Sequence, residues 1–584
     1  MNLSIRNLCA VGLSVALAGC AVTPGQPVSQ SKSTEGAAAG GTAPAMDAEY
    51  SAALPSVPLT PDILYQLLVA ETALQRGHYA VGLTQYYRLA RQTRDPRLAA
   101  KASRIAVFVR DKRSALLAAK LWVDIDPANL AARQAISAAY IRSGEPEAAL
   151  EHLEYVLSRE SDDSERGFMI VASLLSREQD LQSALTVMER LVESHQQNYA
   201  AWYAYAHLAS RANMLDKADA GIKRSLHLKP DNASAIILQT RIMQLSGNQE
   251  GAMAYLGRQV EAMPNETLLH LTYARQLVDS GAYEEAFAQY KIVINQAPDD
   301  VDVLFALGLL ALQLDQYESA YDYLDRARNT GMRVDDARFY LGQLEELRGN
   351  MDAAIEHYGY VSRGDNLVEA RIRQAVLVSQ AGDLDRARDY LYSLHVSAPA
   401  QRQRIFLVEG DLLRGAERYA EAMALFHHAL EELPGNIPLL YARSLVAERL
   451  GELDLAERDL KAILARDPDH VDALNALGYT LADRTDRYQE AYGYVKRALE
   501  LRPNDNAILD SMGWVLYRLG KYNEAVKALR KSLEIKLDPE VAAHLGEVLW
   551  VTGEQEDARE IWKQALEIAP GDKRLLTIMR RFIK

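Results

Sequence analysis

Cysteine is almost absent from this chain. The 584 residues include two, Cys9 and Cys20, both within the first twenty positions. The body of the molecule therefore closes no disulfide, offers no thiolate nucleophile and holds no Cys-based metal site. Long apolar runs are missing too. Leu8 to Ala18 is too short to span a bilayer, and no other stretch is apolar enough to do so. Positive charge is in deficit, with 65 Lys and Arg against 79 Asp and Glu and a net charge of −14, which argues against a nucleic-acid partner. Signatures of catalysis are lacking as well. There is no His-Glu-x-x-His, no Gly-x-Ser-x-Gly and no phosphate-cradling glycine loop. Ser29 and Lys32 have nucleophile–base spacing but lie in a segment with nothing to position them. His427 and His428 are adjacent, so a helix cannot aim both at one metal. Glu345-Glu346 reads as a solvated helix face. The chain does not read as an enzyme, and no catalytic residue, metal or cofactor is expected.

What is present is a period. Ala115, Ala149, Ala184, Ala218, Ala252, Ala286, Ala320, Ala354, Ala387, Ala422, Ala456, Ala491, Ala525 and Ala558 recur every 33 to 35 residues, with Gly82 in the slot before them. A period near 34 means stacked repeats. Five residues upstream of the alanine a glycine is common, as at Gly77, Gly144, Gly247, Gly281, Gly349, Gly382, Gly451, Gly520 and Gly553. Twelve residues downstream a proline is common, as at Pro434, Pro503 and Pro570. The glycine ends a first helix in the left-handed conformation, and the proline stops a second. A further small residue seven before the glycine slot, such as Gly308, Gly342, Gly410, Gly513 or Gly546, lets the paired helices approach closely. Arg110 stands where one glycine is expected, and Asp486 or a neighbour is an extra residue in the repeat around Ala491.

This helix–turn–helix unit resembles the tetratricopeptide repeat (TPR). Trp202 fills its first aromatic slot, and Tyr79, Tyr283, Tyr317, Tyr419 and Tyr522 its tyrosine slot. The resemblance implies an all-α superhelical solenoid of about fifteen repeats over residues 59–570, followed by a capping helix over 571–584. That last helix carries Leu575, Leu576, Met579, Phe582 and Ile583 on one face.

The first nineteen residues read as a signal peptide, with Arg6 ahead of the short apolar run. Leu17-Ala18-Gly19-Cys20 resembles a bacterial lipobox, which implies cleavage before Cys20 and lipidation of that cysteine. Ala21 rather than Asp follows it, which by the same resemblance implies the outer membrane, facing the periplasm. Residues 20–58, rich in Pro, Gly, Ala, Ser and Thr, read as a flexible tether with a root-mean-square reach of roughly 35 Å.

Two regions are candidate binding surfaces. Thr60-Pro61-Asp62 starts a helix that is apolar nearly all round, including Ile63, Leu64, Leu67 and Leu68. Either Leu54 to Leu59 folds back over it or a partner covers it. A basic block follows, with Arg88, Arg91 and Arg104 among its cations. Residues 1–125 carry 13 basic and 8 acidic side chains, whereas residues 126–570 carry 47 and 70. That block is suited to an acidic protein face or to anionic headgroups. In tetratricopeptide repeats the first helix lines the groove. Slot counting places Asn475, Tyr479, Asp510, Trp514, Tyr517, Arg518, Glu547 and Trp550 on that inner face, a lining of the residue types that dominate protein interfaces. Trp122 and Trp562 fall in packing slots.

Anchor, tether and repeats together resemble the outer-membrane TPR lipoproteins that act as adaptors for periplasmic proteases. That resemblance implies a non-catalytic partner of a periplasmic carboxyl-terminal processing serine protease. The adaptor would bind and activate the protease and deliver peptidoglycan cross-link hydrolases as substrates, controlling cell-wall turnover. The alternative is a non-proteolytic scaffold for envelope-biogenesis or polysaccharide-export proteins.

Overall fold

The computed structural model describes residues 54–159, 164–178 and 180–583. The leader, Cys20 and most of the tether lie outside the described residues. Within them the chain forms 31 α-helices and no strand. Thirty of the helices make fifteen consecutive pairs, from Pro61–Gln75 with Tyr79–Thr93 to Pro539–Thr552 with Gln555–Ile568, and Lys573–Phe582 follows the last. The periodic all-α architecture expected from the alanine series is the one observed.

Local chemistry explains the boundaries. Eight of the first helices open on Asn or Asp caps whose side chains accept orphan backbone N–H groups, among them Asn129 from Ala132 at 3.0 Å, Asn232 from Ala235 at 2.8 Å and Asn436 from Leu439 at 3.2 Å. The glycine slot has φ between 75° and 96° at all nine positions named above. At four slots without glycine the backbone keeps the same bend. Arg110, Asn213, Asp315 and Glu417 have φ of 58°, 56°, 57° and 58°. The turn is thus imposed by helix packing rather than by the residue that occupies it. A side chain there bears a steric cost that glycine escapes. Glu417→Gly should therefore raise stability by about 0.5 kcal/mol, read as a higher urea midpoint with an unchanged m-value.

Close approach explains the other small residues. A Cβ on Gly410 would lie 2.1 Å from Phe426, one on Gly513 2.4 Å from Leu529, and one on Gly546 2.0 Å from Trp562. Each neighbour sits four residues after the periodic alanine and is fully buried. Trp122 is 7% exposed and Trp562 is fully buried, so both are core.

The chain divides into two compact units, Met1–Ala320 and Tyr321–Lys584. The core of the first includes a cluster from Ile141 to Ile242 around Leu191, Tyr203 and Leu208. That of the second includes a cluster from Leu440 to Leu575 around Leu529 and Trp562. Leu575 of the last helix is buried, and Phe582 rests beside Trp550 and Trp562. This is an amphipathic helix that spends its apolar face on the repeat before it.

Glu345 and Glu346 correct one expectation. They are not a solvated face. Glu345 is 6% exposed and accepts from Arg348 at 3.1 Å and Asn350 at 2.6 Å. Glu346 pairs with Arg373 and accepts from the Tyr358 hydroxyl at 3.0 Å. Burial of carboxylates is tolerable here because each has charged or neutral donors.

Two second helices are curtailed. Met351–Gly359 and Leu384–Tyr392 have nine residues each, against fourteen in Tyr419–Glu432. Gly359 ends the first. Ser393, whose hydroxyl donates to the Tyr390 carbonyl at 2.7 Å, caps the second before a weak helix-forming run and Pro399.

Candidate functional site

The inner-face candidates converge within the second unit. They project from the first helices Val471–Arg484, Asn506–Arg518 and Pro539–Thr552. Trp514 is 8% exposed, and its ring stacks on His544 with centroids 4.4 Å apart and planes 25° apart. The Asp510 carboxylate meets His544 Nδ1 at 2.9 Å, and both side chains are buried. Burial alone would lower the His544 pKa. The Asp510 carboxylate, with Glu540 and Asp483 farther off, outweighs that and holds it above the ordinary imidazole value. The Tyr479 ring lies 6.2 Å from His544, and burial, reinforced by Asp483, Glu540, Asp510 and Glu448, pushes its phenol well up. Tyr517 packs 5.2 Å from Trp514 and donates to Glu547 at 3.3 Å. Burial and that carboxylate push the Tyr517 hydroxyl up to about 12. At neutral pH both phenols are therefore hydrogen-bond donors, never anions.

Two polar atoms of this face make no hydrogen bond within the protein: Trp514 Nε1, a donor, and Asn475 Oδ1, an acceptor. A buried donor or acceptor left unmatched costs about 1–3 kcal/mol, and both atoms are closed off from the surface.

Not every predicted member joins the cluster. Arg518 donates to the Tyr488 hydroxyl at 2.5 Å and to the Asp483 carbonyl at 3.3 Å, with its guanidinium 4.7 Å above the Tyr488 ring. It is thus occupied by the adjoining repeat. Trp550 sits with Trp562 at 5.7 Å and under Arg559 at 5.3 Å, at the C-terminal seal. His544 was absent from the sequence-derived set. It lies outside the slots counted as inward, and only its pairing with Asp510 and Trp514 places it at the centre.

The first unit presents the other candidate surface. Leu64 and Leu68 are 42% and 57% exposed, with Tyr65 at 68%, whereas Ile63 and Leu67 are half-buried on an adjoining face. The segment before this helix does not cover it, since Leu54, Val57 and Leu59 are themselves exposed. Arg88, Arg91 and Arg104 are exposed on the next two helices, Tyr79–Thr93 and Pro96–Phe108. Nearby cations are engaged: Arg97 with Asp95 at 2.7 Å, Lys101 with Glu71 at 2.5 Å, and Arg94 with Asp124. Exposed Phe108, resting on Tyr79 at 4.8 Å, belongs to this end and was not singled out from sequence.

Among the described residues no three His, Cys, Asp or Glu side chains converge as metal ligands, and no helix is long and apolar enough to cross a membrane. His427 faces Arg443 at 3.1 Å and His428 faces Glu432 at 3.1 Å, so the adjacent pair has separate partners.

Comparison with known proteins agrees with this architecture. The tetratricopeptide-repeat family model matches residues 271–332, 441–506 and 511–573. TPR repeat-containing protein PA4667 of Pseudomonas aeruginosa is 34% identical over 492 residues, covering 83% of this chain and 82% of that protein. TPR repeat-containing protein MJ1428 of Methanocaldococcus jannaschii is 21% identical over 413 residues, covering 65% and 71%. Among solved structures, the Cut9–Hcn1 hetero-tetramer of APC/C matches with 14% identity over 90% of this chain and 97% of that one, at a TM-score of 0.31. A thermophilic TPR protein of Thermus thermophilus matches with 27% identity over 32% of this chain and 97% of that one, at a TM-score of 0.28. With its helix pairs, its matched repeat segments and its extensive identity to the Pseudomonas protein, the chain belongs to the tetratricopeptide-repeat protein family.

Proposed function

We propose that this protein is a lipid-anchored, periplasm-facing adaptor that holds a carboxyl-terminal processing protease near the outer membrane and brings substrates to it. The observation that supports binding as its work is the inner face around Trp514. There a packed aromatic and ionic cluster leaves one buried donor and one acceptor, Trp514 Nε1 and Asn475 Oδ1, unmatched. An extended peptide would match that pair with its alternating carbonyl and N–H groups once the side chains covering the two atoms move aside. The identity of the protease and its substrates rests on resemblance to the lipoprotein partner of that protease, LbcA, through the lipobox, the tether and the C-terminal repeat segments. The expected substrates are peptidoglycan cross-link hydrolases. The exposed Leu64, Tyr65, Leu68 and basic N-terminal end is then the surface for the protease. Two grips on one tethered chain raise the local concentration of substrate beside enzyme.

Pull-down from detergent-solubilised envelopes tests the reading. A processing protease should co-purify in near-stoichiometric amount, and adding the repeat domain should speed its cleavage of a hydrolase. A pull-down free of any protease sinks the adaptor role. Raised salt should weaken protease capture if Arg88, Arg91 and Arg104 contribute.

The inner face has a sharper test. Trp514→Phe keeps a ring over His544 but removes the N–H. Combined with Asn475→Leu it should weaken substrate capture about tenfold with the helical spectrum unchanged. Unaltered capture by the double variant excludes these two atoms as ligand groups.

A further inference from the structure

Three arginines on the inner face of the first unit have no partner. Trp514, on the inner face of the second unit, stands eleven residues before Ala525. The same place on three consecutive first helices, Tyr199–Arg211, Ala233–Leu245 and Thr267–Asp279, holds His207, Arg241 and Arg275. These helices meet in order, so the three side chains follow one another along the groove. Arg211 stands one turn beyond His207. Burial first, then the charges of Arg211 and Arg241, hold the His207 imidazole below its ordinary value, which marks both guanidiniums as its neighbours.

No carboxylate answers this charge. The side chains of Arg211, Arg241 and Arg275 make no hydrogen bond and no ion pair among the described residues. Arg211 and Arg241 are exposed, and Arg275 is half-buried. Glu165, beside Tyr203, is taken by Tyr199 at 3.2 Å and Asn232 at 3.3 Å. Asp279 ends the third helix, is exposed, and bonds none of the three arginines. The other inner positions of these helices hold no acid; Tyr203, Ile237, Leu268 and Leu271 are among them.

Elsewhere the molecule supplies its own partners. Six arginines, Arg211 included, stand seven residues before the periodic alanine. Glu178 holds Arg142 at 2.7 Å, Glu448 holds Arg449 at 3.8 Å and Arg484 at 2.9 Å, and the Tyr488 hydroxyl accepts from Arg518 at 2.5 Å. Among the described residues only Arg177, on the preceding pair, shares the unpaired state of Arg211. The inner positions of the second unit carry acids instead, Asp411, Glu448, Asp510 and Glu547 among them. Unmatched positive charge on one face of a chain of net −14 favours a negative ligand.

Spacing and surroundings narrow the kind of ligand. Neighbouring first helices lie about 8–10 Å apart, and an extended chain advances about 3.3 Å per residue. Carboxylates about every third residue therefore reach successive arginines. Leu268, which is 40% exposed, and half-buried Ile237 and Leu271 stand among the cations, and they suit apolar side chains rather than a uniformly charged polymer. A membrane or a nucleic acid would also meet the acids around the groove, 70 against 47 basic side chains over residues 126–570.

We infer that this face binds an internal acidic segment of another protein, extended along the groove, with side-chain carboxylates on Arg211, Arg241 and Arg275 and apolar residues between them. One C-terminal carboxylate cannot span the three. The inference rests neither on the adaptor reading nor on the Trp514 cluster.

The probe is a displayed library of segments of about twelve residues, long enough to cross the three helices. Each is randomised over Glu, Gln, Leu and Ser, fused at both ends and selected on the full chain. Enriched segments should carry Glu about every third residue, with Leu between, and should lose binding when Glu becomes Gln. Arg241→Gln combined with Arg275→Gln should weaken binding at least about tenfold, with helix content and melting unchanged. Exposed Arg241→Gln alone should act in the same direction, which guards against any disturbance at half-buried Arg275. Arg258→Gln removes an exposed cation from the second helix Gln249–Ala262 and should leave affinity unaltered. So should Trp514→Phe with Asn475→Leu, which separates failure of that face from failure of this one. Enrichment without Glu, equal affinity for the parent and the double arginine variant, or an equal loss in Arg258→Gln overturns the inference. Polyglutamate that competes as well as the best segment would make any polyanion the ligand, and would overturn it too.

Discussion

Gly546→Val should unfold the last helix pairs under conditions in which the parent protein keeps them. A Cβ on Gly546 falls 2.0 Å from Trp562 Nε1, and the indole cannot swing aside. Trp562 is fully buried, stacked on Trp550 at 5.7 Å and Phe582 at 6.3 Å. Overpacking a tight core costs about 1–3 kcal/mol, and a branched side chain against a trapped ring should lie at the upper end. Because repeat arrays communicate mainly between neighbours, the damage should be local. Amide exchange should show lost protection over residues 539–582, with protection retained near residues 419–464. Gly493 supplies the control. It is exposed inside the helix Tyr488–Leu501, and an added Cβ there meets nothing within 4 Å. Gly493→Ala should stabilise by about 0.5–1 kcal/mol. Equal responses at the two glycines would refute the close-approach account.

Removing the Asp510 carboxylate should cost about 1–3 kcal/mol, the usual penalty for leaving a buried polar group unmatched. Its side chain is 10% exposed and that of His544 8%, so water can do little for the imidazole left without its acceptor. The same pair gives the C-terminal repeats a pH dependence. The His544 pKa stands above its ordinary value in the folded chain. The folded state therefore binds the proton more tightly than the unfolded one. This contribution is complete below about pH 6.5, the unfolded imidazole value, and is lost as pH rises through the folded value. Urea unfolding followed by tryptophan fluorescence should give a higher midpoint at mildly acid than at mildly alkaline pH. That difference should shrink in both Asp510→Asn and His544→Gln. A midpoint that rises with pH in the parent but not in His544→Gln would reverse the sign and refute the argument.

The repeat architecture could be read from the chain because its determinants are local and recurrent. The periodic alanine and the residue twelve before it report a contact that every pair must make. The glycine slot reports a bend that every pair must turn. The ends of the second helices were less legible. Ala354 and Ala387 hold the period, yet the helices they belong to stop after nine residues, because that alanine marks where a second helix begins and says nothing about where it ends. Slot counting found Tyr479, Asp510, Trp514 and Tyr517 as neighbours but passed over His544, whose place depends on an ion pair 34 residues away in sequence. It also grouped Trp550 and Arg518 with them, although the adjoining repeat claims Arg518 and the second helix of its own pair claims Trp550. Charge alone misread Glu345 and Glu346, since adjacent acids do not reveal that Arg348 and Asn350 just downstream, and Tyr358 and Arg373 across the helix packing, fold onto them.

The left-handed turns carry a broader consequence. Arg110, Asn213, Asp315 and Glu417 adopt the same bend as the glycines, so the corner between paired helices accepts a cation, an amide or an anion at a modest energetic penalty. Each of these corners can therefore change its electrostatic character while the scaffold stays intact. Selection for new associations could act on such corners one by one without first having to solve folding again.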